Sequence, residues 1–419
     1  MTIGGQRLVP VTMIAAAIAF AVAAMTAGRI GTHPGWWQAV VPLSVLGGIA
    51  PMIYAVNIRV VPVFSRRQWR SMPLVRAQVV TMLAGAWLVY AGRIDERDVL
   101  ITAGSFVALA SGMLFMANIA SLFGQPAGAR PGPPADSRQK QVDRLAIVFT
   151  RTSSLFLLFG LAAGVALRFW TPERGRWDLV WAHAMLVGFM LSMACGICYH
   201  VLSRWTGRTW GSLWPIRLHL IVTLIALPLM LAALAFDLDR LFLVAGPLQA
   251  LAIATFLATI VPFVLQLPGT TRLAMLAAAL FLLTGIGLGA WFAIDPAIGA
   301  RLRLTHAGIN LFGFTGLLIS GVGYYLVPRF AGHPLRWPRL AWVQVALLGS
   351  GVLAGSIALA FRAYGDSNTT VIFIAHAMIA VAFAIFAVLI AGAFFGQSSR
   401  ATITAVRIEP SARARPAAG

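Results

Sequence analysis

Hydrophobic residues along this chain come in long blocks. Runs of about twenty apolar positions recur from end to end, separated by short segments that hold nearly all of the charge. No run alternates with the period of two that marks a half-buried strand, and each is long enough to cross a hydrocarbon layer at 1.5 Å per residue. The blocks predict twelve helices, near 10–30, 38–58, 73–91, 98–121, 145–167, 179–202, 216–235, 241–265, 272–293, 303–327, 340–361 and 370–394. The first follows only Arg7 and runs straight on, which reads as a retained span rather than a cleaved leader. The segment 124–144, basic and rich in Pro and Gly, predicts a linker, and 398–419 a polar, disordered tail.

Composition agrees with the pattern. Of 419 residues, 59% are hydrophobic and 11% charged, too few charges to cover a water-facing surface. This excludes a soluble enzyme, and two cysteines, Cys195 and Cys198, exclude a disulfide scaffold. The fold class expected is all-α, a polytopic protein with the lipid bilayer as its first partner.

The net charge of +20 changes the picture only once it is divided by side. With the N-terminus placed inside, 22 Lys and Arg fall in inner segments and 10 in outer ones, while 9 of the 12 acids fall outside. The positive-inside rule then puts both termini in the cytoplasm, and the setting is a bacterial inner membrane. The basicity orients the chain and carries no nucleic-acid footprint. None of the twelve predicted spans contains Asp or Glu beyond its first residue, Asp98 of span 4 being the one at an end, which argues against an acid-based proton pathway.

Three even-numbered spans end in related text: GGIAPMIYAVNIRVVPVFSRR (47–67), GFMLSMACGICYHVLSRWTGR (188–208) and GFTGLLISGVGYYLVPRFAGHPL (313–335). Aligning Pro62, Ser203 and Pro328 separates the copies by 141 and 125 residues. Without a gap, Gly188 falls on Gly313, Tyr199 on Tyr324, Arg204 on Arg329 and Gly207 on Gly332. Three units of four helices (1–123, 145–268 and 269–397) predict a pseudo-threefold bundle.

Without acids at depth, histidines are the strongest metal or haem ligands available. His183, His306 and His376 sit near the starts of spans 6, 10 and 12, which all run outside to inside. All three are therefore expected roughly 5–10 Å from the outer boundary. His200 lies about 25 Å further along span 6 than His183 and cannot share its site. His33 and His333 fall in loops, and His219 at the inner start of span 7. Each histidine alone reads as a hydrogen-bonded helix residue; three at one depth suggest a cofactor site. Cys195 and Cys198 share one face of span 6 and are expected to be ordinary small helix residues.

The segment HAGINLFGFTGLLISGVGYYLVPRF (306–330) resembles the tenth helix of haem–copper oxidase catalytic subunits, especially C-family oxidases and bacterial nitric oxide reductases. Their H-x-H pair, the Gly-Trp or Gly-Phe five residues after its second His, and their Tyr-x-x-x-Pro-Arg ending are matched, except that Gly308 stands where the second His belongs. The resemblance implies a haem–copper-oxidase-like bundle with His306 as the ligand of the active-site haem. Span 2 lacks the family's other low-spin haem ligand, and span 7 lacks its copper His-His pair at that depth. The segment HAMLVGFMLSMACGICYHVLSRWTGR (183–208) is similar to a motif of the NnrS proteins, twelve-helix haem- and copper-containing membrane proteins linked to nitric oxide stress. His183 matches the second His of their H-A-H, and Trp181 replaces the first.

Together these resemblances imply a haem, and optionally copper at His183, near the outer face. His306 would be the axial ligand, with His183 and His376 as a second ligand or distal groups for a diatomic gas. They also imply a role in respiration or stress response, with respiratory subunits as partners, and leave open whether the chain is an enzyme. Two other classes fit the same pattern: a cofactor-free transporter of neutral solutes, and a structural or assembly subunit of a respiratory complex. With both low-spin ligands missing, the chain is expected neither to oxidise cytochrome c nor to pump protons.

The charge asymmetry makes the topology testable. Reporter fusions at Arg67, Arg138 and Arg208 should report cytoplasm, and fusions at Glu96, Asp237 and Asp366 the opposite side. One inverted pair of neighbouring fusions would remove the common depth of the three histidines.

Overall fold

The computed structural model describes residues 3–129, 132–133, 135–170, 174–365 and 368–395. Among these residues all regular structure is helical, and twelve helices are long and apolar enough to cross a membrane. Spans 1 to 4 are Arg7–Gly28, Pro34–Ser65, Met72–Ile94 and Asp98–Phe123. Spans 5 to 8 are Ser137–Ala166, Gly175–Thr206, Trp214–Phe236 and Asp239–Val264. Spans 9 to 12 are Gly269–Ile294, Pro296–Ala331, Pro338–Ala363 and Thr369–Phe395. The chain is a multi-pass helical membrane protein.

The twelve spans are not equivalent. In spans 2, 6 and 10, 83%, 72% and 78% of the most apolar stretch is buried, against 56% or less in the other nine. These three are the spans whose sequences align, and they form the interior. The other nine keep one side for lipid, with exposed Leu, Ile, Val and Phe such as Leu155, Leu280 and Phe361. Successive spans pack on one another, span 4 on span 5 and span 8 on span 9, and span 12 returns to span 1.

One local device is repeated in the three central spans. Each passes through a stretch of widened, π-type turns: Leu43–Ile49, Ala184–Leu191 and Ile309–Phe314. Leu43, Ala184 and Ile309 fall in one column of the alignment that pairs Pro62, Ser203 and Pro328. The widened stretches therefore start in register. Each contains the glycine of that alignment, Gly47, Gly188 or Gly313. A Cβ on Gly188 would strike Phe156 of span 5, and one on Gly313 would strike Phe281 of span 9. A widened turn displaces backbone hydrogen bonds, and in an apolar interior the affected carbonyls need other donors. Here the shifted carbonyls keep a backbone N–H donor, and polar side chains add a second one. Asn310 Nδ2 donates to the His306 carbonyl at 2.8 Å, Thr315 Oγ1 to the Asn310 carbonyl at 2.9 Å, and Ser192 Oγ to the Val187 carbonyl at 3.3 Å.

The ends of the three central spans also coincide. Arg66, Gly207 and Gly332 close them in the left-handed conformation, at φ of 57°, 70° and 85°, again in one column of the alignment. Glycine takes this conformation without strain, and arginine does not.

A polar contact ties two of the central spans to the next helix. The Tyr199 hydroxyl lies 2.8 Å from His219 Nδ1 of span 7, and the Tyr324 hydroxyl donates to Gln344 Oε1 of span 11 at 2.7 Å. Gln78 of span 3 occupies the same column as His219 and Gln344, but Ile58 stands where the tyrosine would be. Gln78 is instead satisfied by Asn118 of span 4, whose Nδ2 donates to its Oε1 at 2.9 Å.

The structure corrects the boundary of the linker. Span 5 starts at Ser137, capped by Asp136, whose carboxylate accepts from the Gln139 amide at 2.6 Å. The polar sequence 137–144 is therefore helix rather than the end of the linker. That places Asp143 inside a spanning helix, against the expectation that no span holds an acid beyond its first residue. The carboxylate is tolerated because Arg204 and His200 meet it. The expected tail, 398–419, lies outside the described residues.

The shared left-handed caps give a prediction with opposite signs. Arg66→Gly should raise the unfolding midpoint, a gain of about 1 kcal/mol, and Gly332→Ala should lower it by a similar amount. Thermal unfolding of the purified variants measures both, and a fall with Arg66→Gly would contradict the strain argument.

Candidate functional site

Of the three histidines singled out by sequence, the structure brings two together. His183 lies in span 6, immediately before the widened stretch 184–191, and His306 lies in span 10, three residues before its counterpart. Their imidazole centroids are 6.4 Å apart, with ring planes inclined by 23°. They lie about 12 and 15 Å along the axis from the starts of their helices, at 1.5 Å per residue. Spans 6 and 10 begin earlier than the hydrophobic runs suggest, at Gly175 and Pro296.

The surroundings fix each ring differently. His183 Nδ1 is 2.8 Å from the Leu179 carbonyl one turn earlier. A carbonyl only accepts, so Nδ1 carries the proton and Nε2 keeps its lone pair. A histidine held by a backbone carbonyl in this way is prepared to bind a metal through its other nitrogen. His306 packs against span 9, where a Cβ on Gly289 would come within 3.2 Å of its Cε1, and its ring centroid lies 5.4 Å from that of Phe292. Its Nδ1 is buried and has no hydrogen-bond partner. A buried polar atom left unpaired is costly and calls for a partner.

His376 has other neighbours. It is buried, with Nδ1 donating to the Ile372 carbonyl at 2.8 Å and its ring edge-on to Phe312 at 6.1 Å. It fits against Gly28 of span 1 and Gly355 of span 11, whereas His306 meets span 9 and His183. His33 is exposed and stacked on Trp36 at 4.1 Å. His333 is half-buried just beyond span 10.

The 6.4 Å separation suits a shared metal. Two imidazoles on opposite sides of one metal, each at about 2.0–2.1 Å from a ring nitrogen, have centroids roughly 6.2–6.4 Å apart. Among the described residues no cluster of three or more His, Cys, Asp and Glu could cage an ion. The pair therefore offers two protein donors.

Two buried polar groups carried too little sequence signal to be found. Asp143 accepts from Arg204 at 3.0 and 2.8 Å and lies 2.9 Å from His200 Nδ1. The His200–Arg204 spacing of one helical turn was visible, but their acid partner is on another helix. His219, expected at a helix start on the inner face, is buried. It sits beside Tyr199 with its Nε2 4.0 Å from Cys195 Sγ, and its ring lies 4.7 Å from that of Phe149. Cys195 and Cys198 are both buried and free.

In comparison with known proteins, no family model matches the chain and no curated protein matches it.

The Tyr199–His219 contact separates structural from functional histidines. Tyr199→Phe removes a buried hydrogen bond and should cost about 1–3 kcal/mol. Thermal unfolding should register that loss, while metal or haem content per folded molecule stays at the wild-type value.

Proposed function

We propose that the protein holds a haem within the membrane between His306 and His183, and that it handles nitric oxide or a related small oxidant there. The observation behind this reading is the pair of imidazoles 6.4 Å apart on two central spans. Two protein donors are few for a bare ion, but they suffice for haem iron, because the porphyrin brings four nitrogens of its own. His306, whose Nδ1 is buried without a hydrogen-bond partner, would hold the iron. His183 faces it from span 6, oriented by the Leu179 carbonyl. Copper at His183 would draw on the same imidazole and is the secondary assignment. His376, which packs against Gly28, Gly355 and Phe312 rather than against His306, acts on packing rather than on the iron.

When bound, haem in such a site supplies diatomic-ligand binding or one-electron transfer, tuned by axial ligands and pocket polarity. The chain's own part is to orient two imidazoles and to keep water out with Phe292 and the walls of spans 6, 9 and 10. The resemblance of 183–208 and 306–330 to NnrS proteins and haem–copper oxidases supports the same class. The missing low-spin ligands favour gas handling over oxygen reduction. The setting is a bacterial inner membrane, with both termini in the cytoplasm by the charge asymmetry.

An absorbance spectrum of full-length protein, purified from haem-supplied cells, tests the reading. A Soret band is expected. His306→Ala should reduce haem content at least tenfold, His183→Ala should reduce it and shift the band, and His376→Ala and His200→Ala should leave it near wild type. No Soret band in the wild type would overturn the proposal and favour cofactor-free transport of neutral solutes. Full haem content in folded His306→Ala would remove His306 as ligand.

A further inference from the structure

The opposite ends of the central spans hold a second concentration of polar chemistry, and it is independent of any haem. The last helical segments of spans 2, 6 and 10 each contain one arginine: Arg59, Arg204 and Arg329. Two of them are matched. Arg204 donates twice to Asp143, and Arg329 lies 3.4 Å from the Tyr325 ring centroid and donates to the Tyr325 carbonyl at 2.7 Å. Arg59 is not matched in this way. Its Nε is buried without a hydrogen-bond partner, and the ring of Phe330 is 5.8 Å away.

Arg59 and Arg204 line a cavity of about 170 Å³ between the ends of the three spans, and Phe64, Val201, Trp205 and Phe330 form apolar walls. A cation set in an apolar wall is unfavourable unless an anion meets it. Asp143 is already shared by Arg204, His200 and Gln139. At ~30 Å³ per water, the cavity of about 170 Å³ has room for about five or six waters, hence for one phosphate group. The forked guanidinium matches the oxygens of a phosphate.

We propose that this cavity binds an anionic phosphate group, received by Arg59 with Arg204 beside it. The group is carried on a membrane lipid headgroup or is free in solution, and the two sources share the same recognition chemistry. Bound phosphate satisfies the buried Nε of Arg59 and ties spans 2, 6 and 10 together at this end.

The test uses purified full-length protein, delipidated in a neutral detergent, with the thermal unfolding midpoint followed against added ligand. The probes are phosphatidylglycerol, an uncharged diacylglycerol of the same chains, and inorganic phosphate. Phosphatidylglycerol is expected to raise the midpoint saturably and diacylglycerol to leave it unchanged. A rise with inorganic phosphate alone supports the same site with a soluble source. In Arg59→Gln the apparent dissociation constant should weaken at least tenfold, while Arg59→Lys, which keeps the charge but not the fork, should lie between. Val63→Trp, which fills the cavity and leaves Arg59 in place, should also weaken binding, so that the proposal does not depend on one variant folding. No response to either phosphate probe, or an equal response in folded Arg59→Gln and Val63→Trp proteins, would overturn it.

Discussion

Inside a membrane, a backbone carbonyl released from its helical hydrogen bond has no water to turn to. The three central spans of this protein depart from the α-helix within the apolar interior; the shifted carbonyls keep backbone donors, and in two of the spans side chains add a second one: Asn310 and Thr315 in span 10, Ser192 in span 6. Such departures suit helices surrounded by protein, and spans 2, 6 and 10 are the three most buried. The rest of the architecture follows. The outer nine spans are regular helices facing lipid, and the local widening falls just beyond the residues that could do chemistry, His183 and His306.

Much of this was legible in the sequence, because it follows from hydrophobicity and spacing. Twelve apolar blocks gave twelve helices, and the aligned segments 47–67, 188–208 and 313–335 marked the three spans that fill the interior. Helix ends were less legible. Residues 137–144 are polar, so a hydrophobicity reading stops at 145, yet Asp136 caps a helix that begins eight residues earlier. A helix can extend past the apolar layer, and its polar turns look like linker until the cap is considered. Asp143 was misjudged for the same reason.

The candidate site was legible in outline only. Depth along the helices selected His183, His306 and His376, but depth says nothing about which face of a helix a residue occupies. Only the first two meet; His376 is turned toward spans 1 and 11. The widened turns left no mark recognisable in one copy, since Gly47, Gly188 and Gly313 look like ordinary small residues of membrane helices. Their shared register emerges when the three copies are laid over one another. The same alignment pairs Arg204 with Arg329 and leaves Arg59 four columns earlier, while His183 and His306 fall two columns apart.

From the first widened turn to the left-handed cap, the three central spans have the same number of residues, although the copies are 141 and 125 residues apart. The difference in length between units therefore lies outside this stretch, in the peripheral helices, the connections and the first part of span 10, which has 36 residues against 32 in spans 2 and 6. Each added residue would rotate whatever follows by about 100° around the helix axis. Over this stretch the chain behaves like a keyed shaft, in which the angular phase of Arg204 relative to His183, or of Arg329 relative to His306, is fixed by counting residues. Loops can lengthen or shorten around it, but an insertion within it would turn one end of the interior away from its partners while the other stayed in place.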